Sequence, residues 1–448
     1  NKTLSQFTVA GVTLTDKTVN TAESSFSDLN FKVTVDGADT AAMSVKSSRG
    51  ENSVLSRRVY ATLWSIPDGF DQLDDNGKLK RFLNGLLTAG EYVIEDKQGT
   101  GKSEAVELQF TVNGILEMSA DSVRLENARG LKVGTMVMEN VQQNEIVTGN
   151  RTRYQRWSVT GQDFSNLPGH IRGLVGPGLD QLDKAGFEKL VTDGKWSTLL
   201  TDLDFGTNVI EKYTVSVTSP VPLDITAEKI TSRVRVHKAG RLELGMSMTD
   251  FAMPTDKFAA QPGLKPIGLA MLERVGETAV SDMELDLDYD LAGNVLDIRN
   301  LGFGVERLGK AAITTKLGLP PMQVLASAGN QASMIAMSQT MLHKSRVRLQ
   351  DDGMLDIALA DFARQQRTTA DQFRQQMAAA AKLQGSAMGT ERTLQLGEVI
   401  ANFLSVGGGM EVAADMEQAQ PLIAVMAGAG QPAAILDLLK ISAKHLPK

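Results

Sequence analysis

The chain has 448 residues, of which 42% are hydrophobic and 22% charged, enough for about two or three domains with their own cores. Acidic side chains outnumber basic ones by 53 to 46, a net charge of −7, so the basic footprint expected of a nucleic-acid binder is missing. There is no cysteine, which excludes disulfides, thiolate nucleophiles, Cys-ligated zinc and iron–sulfur clusters.

No apolar stretch reaches the roughly 18 residues that a membrane-spanning helix needs. The nearest, Pro421 to Gly430, is ten residues long and bounded by proline and glycine. The numbering opens at Asn1 with strand-like text and no basic leader ahead of an apolar run. This fits a mature exported chain or one trimmed of an N-terminal anchor, with a cytosolic fragment as the plainer alternative. The lack of cysteine in so long a chain favours export, because oxidising compartments penalise unpaired thiols.

Residues 1–60 read as strands. Phe31, Val33 and Val35 alternate with polar residues, Asp36-Gly37 supplies a turn, and Met43 and Val45 resume the alternation. Over 69–89 the period becomes helical, through Phe70, Leu73, Leu79, Phe82, Leu83, Leu86 and Leu87. Strands are then expected at Tyr92–Ile94, at Val106–Val112 and in the alternating text from Val123 to Val159. The segment Pro168–Pro177 is rich in glycine and proline and reads as a boundary. Leu179, Leu182, Phe187 and Leu190 predict an amphipathic helix, and strands return at Tyr213–Val217 and Ile230–Val236.

A hairpin-like text recurs three times. It comprises Arg233–Gly240 continuing to Phe251, Leu285–Gly293 continuing to Phe303, and Arg346–Gly353 continuing to Phe362. The glycines lie 53 and 60 residues apart, and each is followed by phenylalanine nine to eleven residues on. One hairpin cannot bury its apolar face alone, so recurrence implies an extended sheet. Leu355, Leu359 and Phe362 could equally continue a helix after the third glycine. Beyond Pro320 helices dominate. Met322, Leu325, Ala328, Met334, Met337 and Met341 suggest an interrupted helix, and Phe373, Met377, Ala380 and Leu383 a second, with Thr369 as N-cap. Leu396, Val399, Ile400, Phe403 and Leu404 form a third, stopped by Gly407-Gly408-Gly409 before a short strand at Met410–Ala414.

The chemistry is sparse. Asp96 to Ser103 ends in Gly-Lys-Ser like a phosphate-binding loop. However, Asp96 stands where the first glycine belongs, and a strand pattern rather than a helix follows. The segment therefore reads as a glycine-rich hairpin loop. His170, His237, His343 and His445 lack metal-ligand spacing. Asp286, Asp288 and Asp290 beside Glu284 read as a solvated acidic face opposite an apolar one, in preference to a cation site. Arg151 and Arg153 fall on one strand face and Arg156 on the other, too small a patch for nucleic acid. Ten of the 19 methionines lie after residue 320, padding a helical core or meeting a lipid-like ligand.

The repeated hairpins and the text from Asp352-Gly-Met-Leu-Asp through Thr369-Thr-Ala-Asp-Gln-Phe-Arg to Leu396-Gly-Glu-Val-Ile-Ala-Asn-Phe-Leu resemble those of AsmA-like envelope proteins of Gram-negative bacteria, over roughly residues 225–440. The resemblance implies a periplasmic protein, exported or anchored in the inner membrane, whose curved sheet offers an apolar face to lipid.

The resulting expectation is an α+β fold of extended antiparallel sheets built from repeated β-hairpins, with amphipathic helices and a helix-rich C-terminal part. Three regions are expected, 1–167, 168–345 and 346–448. The expected function is non-enzymatic, binding or transferring lipid or another hydrophobic ligand along a face lined by Leu285, Leu287, Tyr289, Leu291, Val295 and Ile298. Neither a cofactor nor a nucleic-acid partner is expected. The alternatives are a structural or protein-interaction module of the envelope and, third, an enzyme assembled from distant residues.

Overall fold

The computed structural model describes residues 2–3, 6–35, 38–66, 68–69, 72–112, 115–175, 202–218, 222–237, 240–259, 265–320, 338–427 and 432–447. It divides into two compact units, Asn1–Pro220 with Thr231–Gly240, and Val221–Ile230 with Arg241–Lys448. The fold is mixed α and β, antiparallel throughout the described pairings, with helices concentrated towards the C-terminus.

In the first unit, β4 (Thr18–Val35), β5 (Ala38–Ser56), β6 (Gly99–Val112), β7 (Leu116–Arg129), β8 (Lys132–Glu145), β9 (Arg151–Asp163) and β10 (Leu203–Val217) pair as successive antiparallel neighbours. The short β1 (Lys2–Thr3), β2 (Gln6–Ala10) and β3 (Thr13–Leu14) pair with the other edge of β4. Helices α1 (Arg57–Ser65) and α2 (Asp75–Glu95) lie between β5 and β6, and α3 (Leu167–Val175) follows β9. Tyr92–Ile94, expected as a strand, is the last turn of α2, and the start of the expected glycine-rich boundary at Pro168 is helical. The expected helix over Leu179–Leu190 lies outside the described residues.

Strands of 13 to 19 residues exceed the usual five or six, and these carry regular interruptions. Asp28, Lys46, Glu107, Asp121, Asn140, Gln155 and Lys212 stand opposite one another across β4 to β10. On alternate strands, Asp28, Glu107, Asn140 and Lys212 all have φ of 51°. A second line lies six residues along, where Asn52, Asn127 and Gly161 are left-handed with φ of 53°, 56° and 75°. The alternation of side chains skips at the first line. Met138 and Val141, Tyr154 and Trp157, and Ile210 and Tyr213 each stand three apart, yet all pack in one core cluster. The rings of Tyr154 and Trp157 meet edge to face at 6.2 Å. The same skip sets Arg156 on the face of Arg151 and Arg153, against the expectation from strict alternation, and Arg156 there lies 4.0 Å from Glu139.

These lines also account for the Gly-Thr-Gly-Lys-Ser text. Gly101 lies opposite the left-handed Asn52, and a Cβ at Gly101 would sit 3.2 Å from that of Asn52. Lys102 and Ser103 are mid-strand in β6, so the segment is a helix-to-strand junction leading into a strand, not a hairpin loop and not the start of a helix. Asp96 ends α2 with its carboxylate buried. Its Oδ2 accepts from Ser56 Oγ at 2.6 Å and Arg58 Nε at 3.0 Å, and the Arg58 guanidinium stacks 4.1 Å from the Tyr92 ring centre.

In the second unit, β12 (Arg241–Pro254), β13 (Thr278–Asp290), β14 (Val295–Val305), β15 (Gly309–Gly318), β16 (Met341–Asp351), β17 (Gly408–Pro421) and β18 (Ile441–Leu446) again pair in chain order. Helices α4 (Asp256–Ala259) and α5 (Pro266–Val275) precede β13. Helices α6 (Met354–Gln365), α7 (Ala370–Ala387) and α8 (Glu391–Val406) separate β16 from β17, and α9 (Leu422–Ala427) and α10 (Pro432–Leu438) separate β17 from β18. Of the first hairpin text, Arg233 to Val236 end β11 (Leu223–Val236), Gly240 has φ of 72°, and Arg241 begins β12, while residues 238–239 lie outside the described residues. The second is the β13–β14 hairpin, where Asp290 Oδ1 accepts from the backbone N–H groups of Ala292 and Gly293 at 3.0 Å and Asn294, not the glycine, is left-handed. The third is not a hairpin. Gly353 is the N-cap of α6, and the Asp351 carboxylate accepts from Leu355 N at 2.7 Å, so its second arm is helical. Thr369 caps α7 in a reciprocal box with Gln372, and Gly407 with φ of 74° ends α8, both as the sequence indicates. Helices α7 and α8 meet through glycine, since a Cβ on Gly397 would lie 2.7 Å from the Ala381 carbonyl oxygen. The helix expected over Met322–Met337 lies outside the described residues, and Met341 begins β16.

The Arg58 guanidinium holds the Asp96 carboxyl below its usual range, with Ser56 assisting against the opposing effect of burial. A carboxyl depressed in the folded state adds stability above its unfolded pKa of about 3.9, and that stability is lost as pH falls through the folded value. Asp96→Asn should therefore lower the melting temperature by a few degrees at pH 7. Its deficit against the unaltered protein should shrink on acidification below pH about 4, as melting curves at a series of pH values would show.

Candidate functional site

The two faces of the sheet in the second unit differ sharply. Antiparallel partners share a face, so register reads out the rows directly. Met246, Leu285 and Leu301 stand in line, followed by Ile313, Val347 and Val412. A parallel row holds Met248, Met283, Phe303, Ala311, Leu349 and Met410. The opposite face is charged and paired, with Lys310 3.6 Å from Asp282, Asn300 donating to Glu284 at 2.7 Å, and Lys444 3.2 Å from Glu411.

Part of the apolar face is covered. Over β16 to β18, Leu342, Ala414 and Ile441 pack with Leu439, together with Val425, Ile435 and Leu436 from α9 and α10. Over β14 to β16 the cover thins. Leu301 is 41% exposed, Phe303 55%, Ile313 37% and Val347 36%. Adjacent, similarly oriented side chains on three strands make a contiguous apolar patch, which single exposed hydrophobics do not.

The expected site residues distribute as follows. Leu285 and Leu287 lie half-buried on this face, and Ile298 pairs with Leu287 on it. Tyr289 is on the same face but buried, only 4% exposed; its hydroxyl has no hydrogen-bond partner among the described residues, and burial pushes its pKa up. Leu291 sits in the turn after β13. Val295 pairs with Asp290 on the opposite, polar face; Leu296, the partner of Tyr289, occupies the row instead. Val295 and Ile298 are three apart in an unbroken stretch of β14, so alternation itself puts them on opposite faces, and the bulge at Arg299 lies beyond both. The more exposed residues Leu301, Phe303, Ile313 and Val347 were missed, although alternation in their strands carries the signal.

The acidic row is the solvated face expected from the sequence only in part, with Glu284 and Asp290 exposed and Asp286 half-buried. Asp288 is buried, and Arg241 Nε lies 2.8 Å from both of its oxygens. The guanidinium of Arg299, the extra residue of the bulge, donates to Asp288 Oδ2 and sits 3.8 Å from Asp286. One carboxylate thus joins β12, β13 and β14 through charge-assisted bonds. Of the histidines, His343 is a strand residue in β16. His445 Nε2 lies 2.8 Å from the Gly407 carbonyl that closes α8, so this nitrogen carries the proton and donates. No group of three or more potential metal-ligating side chains occurs among the described residues.

Threonine in place of all three aspartates, harmless if the row were merely solvated, should have unequal effects. Asp288→Thr should lower the melting temperature by several degrees, because it leaves two arginines without their shared partner. Asp290→Thr should cost less and Asp286→Thr least, an order that thermal denaturation of the single variants would check.

Comparison with known proteins adds little to this geometry. Residues 302–446, from β14 through β18, match a family model described only as an uncharacterized protein. No curated protein matches the chain.

Proposed function

We propose that this is a non-enzymatic protein of the bacterial periplasm that binds or transfers a lipid, or another hydrophobic ligand, along the open apolar face of its second unit. The observation that carries the reading is the exposure of Leu301, Phe303, Ile313 and Val347 side by side across β14, β15 and β16. Water held against such a patch is released when a hydrocarbon chain covers it, at roughly 25 cal/mol per Å² of apolar area. The inner rows carry no charged side chain to demand a polar partner. The resemblance of the hairpin and helical text to AsmA-like envelope proteins supports a periplasmic setting, exported or held to the inner membrane by an N-terminal anchor. The absence of cysteine accords with an oxidising compartment.

Native mass spectrometry of protein recovered from a Gram-negative envelope should show co-purifying lipid. Phe303→Asp, alone and with Leu301→Asp, should remove that lipid and leave the melting temperature within a degree or two, because both side chains already face water. Lipid retained by the double variant would refute this placement of the ligand. A lipid-free protein that instead captures an envelope protein through the same face would favour a structural, protein-interaction role.

A further inference from the structure

Resting on the lipid reading, we propose that the pocket beneath α6 is an end-stop for one straight hydrocarbon chain that lies across the strands. The row Met248, Met283, Phe303, Ala311 and Leu349 crosses β12 to β16 at right angles to the chain direction. Neighbouring strands are about 4.8 Å apart, so the row spans roughly 19 Å. One leaflet of a bilayer's hydrocarbon core is about 15 Å deep. An extended acyl chain is of the length that the row offers across the strands.

The row runs into a cavity of about 320 Å³. Its floor is Phe303, Ala311 and Leu349, and its far wall is Leu355 and Ala358 of α6 with Phe403 of α8. That volume is at the low end for ligand sites, about 300–1,000 Å³, too small for a whole lipid but suited to the end of one chain. Ala311 makes the space, a methyl in a row whose neighbours are phenylalanine and leucine. The wall is fixed. Asp351 caps the first turn of α6, and Arg374 of α7 ties Asp356 of α6 to the Leu404 carbonyl at 2.9 Å. A fixed wall at the end of an open row sets a maximum length, and so discriminates between chains of one chemistry by the number of methylenes.

The experiment measures binding of saturated fatty acids of increasing length to the full chain, by displacement of a fluorescent fatty acid. Affinity should rise with length and then stop rising at a defined length. Ala311→Phe fills the pocket from an exposed strand position, where phenylalanine is well tolerated. It should shorten the preferred chain and weaken the longest by about ten- to fiftyfold, as expected from loss of two or three buried methylenes, while the shortest chains bind within about twofold. Met354→Ala, which trims an exposed residue at the pocket's edge, should shift the preference the other way and serves if the first variant folds poorly. Binding that falls equally at all lengths, or is unchanged, in Ala311→Phe would overturn the end-stop and leave the lipid reading standing. Failure of the unaltered protein to bind any chain would overturn the lipid reading and the end-stop with it. Preference for a rigid polycyclic hydrophobe, with no dependence on chain length, would overturn the end-stop alone.

Discussion

The pairing of Asp288 with Arg241 and Arg299 fixes the register of β12, β13 and β14, on which the apolar face of the second unit depends. Arg241 belongs to β12, Asp288 to β13, and Arg299 is the extra residue of the β14 bulge. A slip of one residue in any of these strands would separate the charges and turn every leucine of the strand to the other face. With Asp288 buried, each arginine would then leave a charge without its partner, which is far more costly than the loss of a surface ion pair. Because the register holds, Leu285 meets Leu301 and Met283 meets Phe303, and the apolar rows are continuous from strand to strand.

Register has a different consequence in the first unit. There the left-handed residues line up across β4 to β10 without displacing the pairs on either side, so Ser27 faces Ser47 and Leu29 faces Val45 around Asp28 and Lys46. Each line is a shared crease. Aspartate and asparagine accept the left-handed conformation at modest cost, and glycine opposite Asn52 and Asn127 leaves room for it. Glu107 and Lys212 accept it less readily, and their place in line with the others shows that sheet geometry rather than local preference sets their backbone.

What the sequence reveals follows the range of the forces involved. Caps and helix stops are local, so Thr369 and Gly407 are legible from a few neighbours. The hairpin at Asp290–Asn294 is legible for the same reason, though the left-handed residue is one position past the expected glycine. The third hairpin text fails because Leu355, Leu359 and Phe362 satisfy both periods, and only Asp351 capping from the preceding strand favours the helix. The exposed part of the apolar face is within reach of alternation, and so is the placing of Val295 opposite Ile298, whereas the bulge at Arg299, which alone brings Ile298 into the row of Leu301, leaves no mark in composition. Likewise, positions three apart in β8, β9 and β10 share a core only because of a crease shared with other strands. Non-local pairing decides both cases, and a single sequence carries it weakly.

The partial cover of the apolar face then has a physical rationale. Fully burying a leucine or phenylalanine stabilises a fold by roughly 1.5–3 kcal/mol, so leaving Leu301, Phe303, Ile313 and Val347 in water forgoes stability that a few more helical residues could have supplied. Such helices exist in the chain, and among the described residues they cover one side, where Leu439, Ile435 and Leu436 close over β16 to β18. The first turn of α6 is capped by Asp351 at the end of β16, which sets Leu355 and Ala358 over the end of one row, beside Phe403 of α8, and leaves the rest of the rows open. The exposed rows and the capped helix therefore belong to one arrangement: the sheet keeps its apolar surface continuous, and the helices bound it on one side.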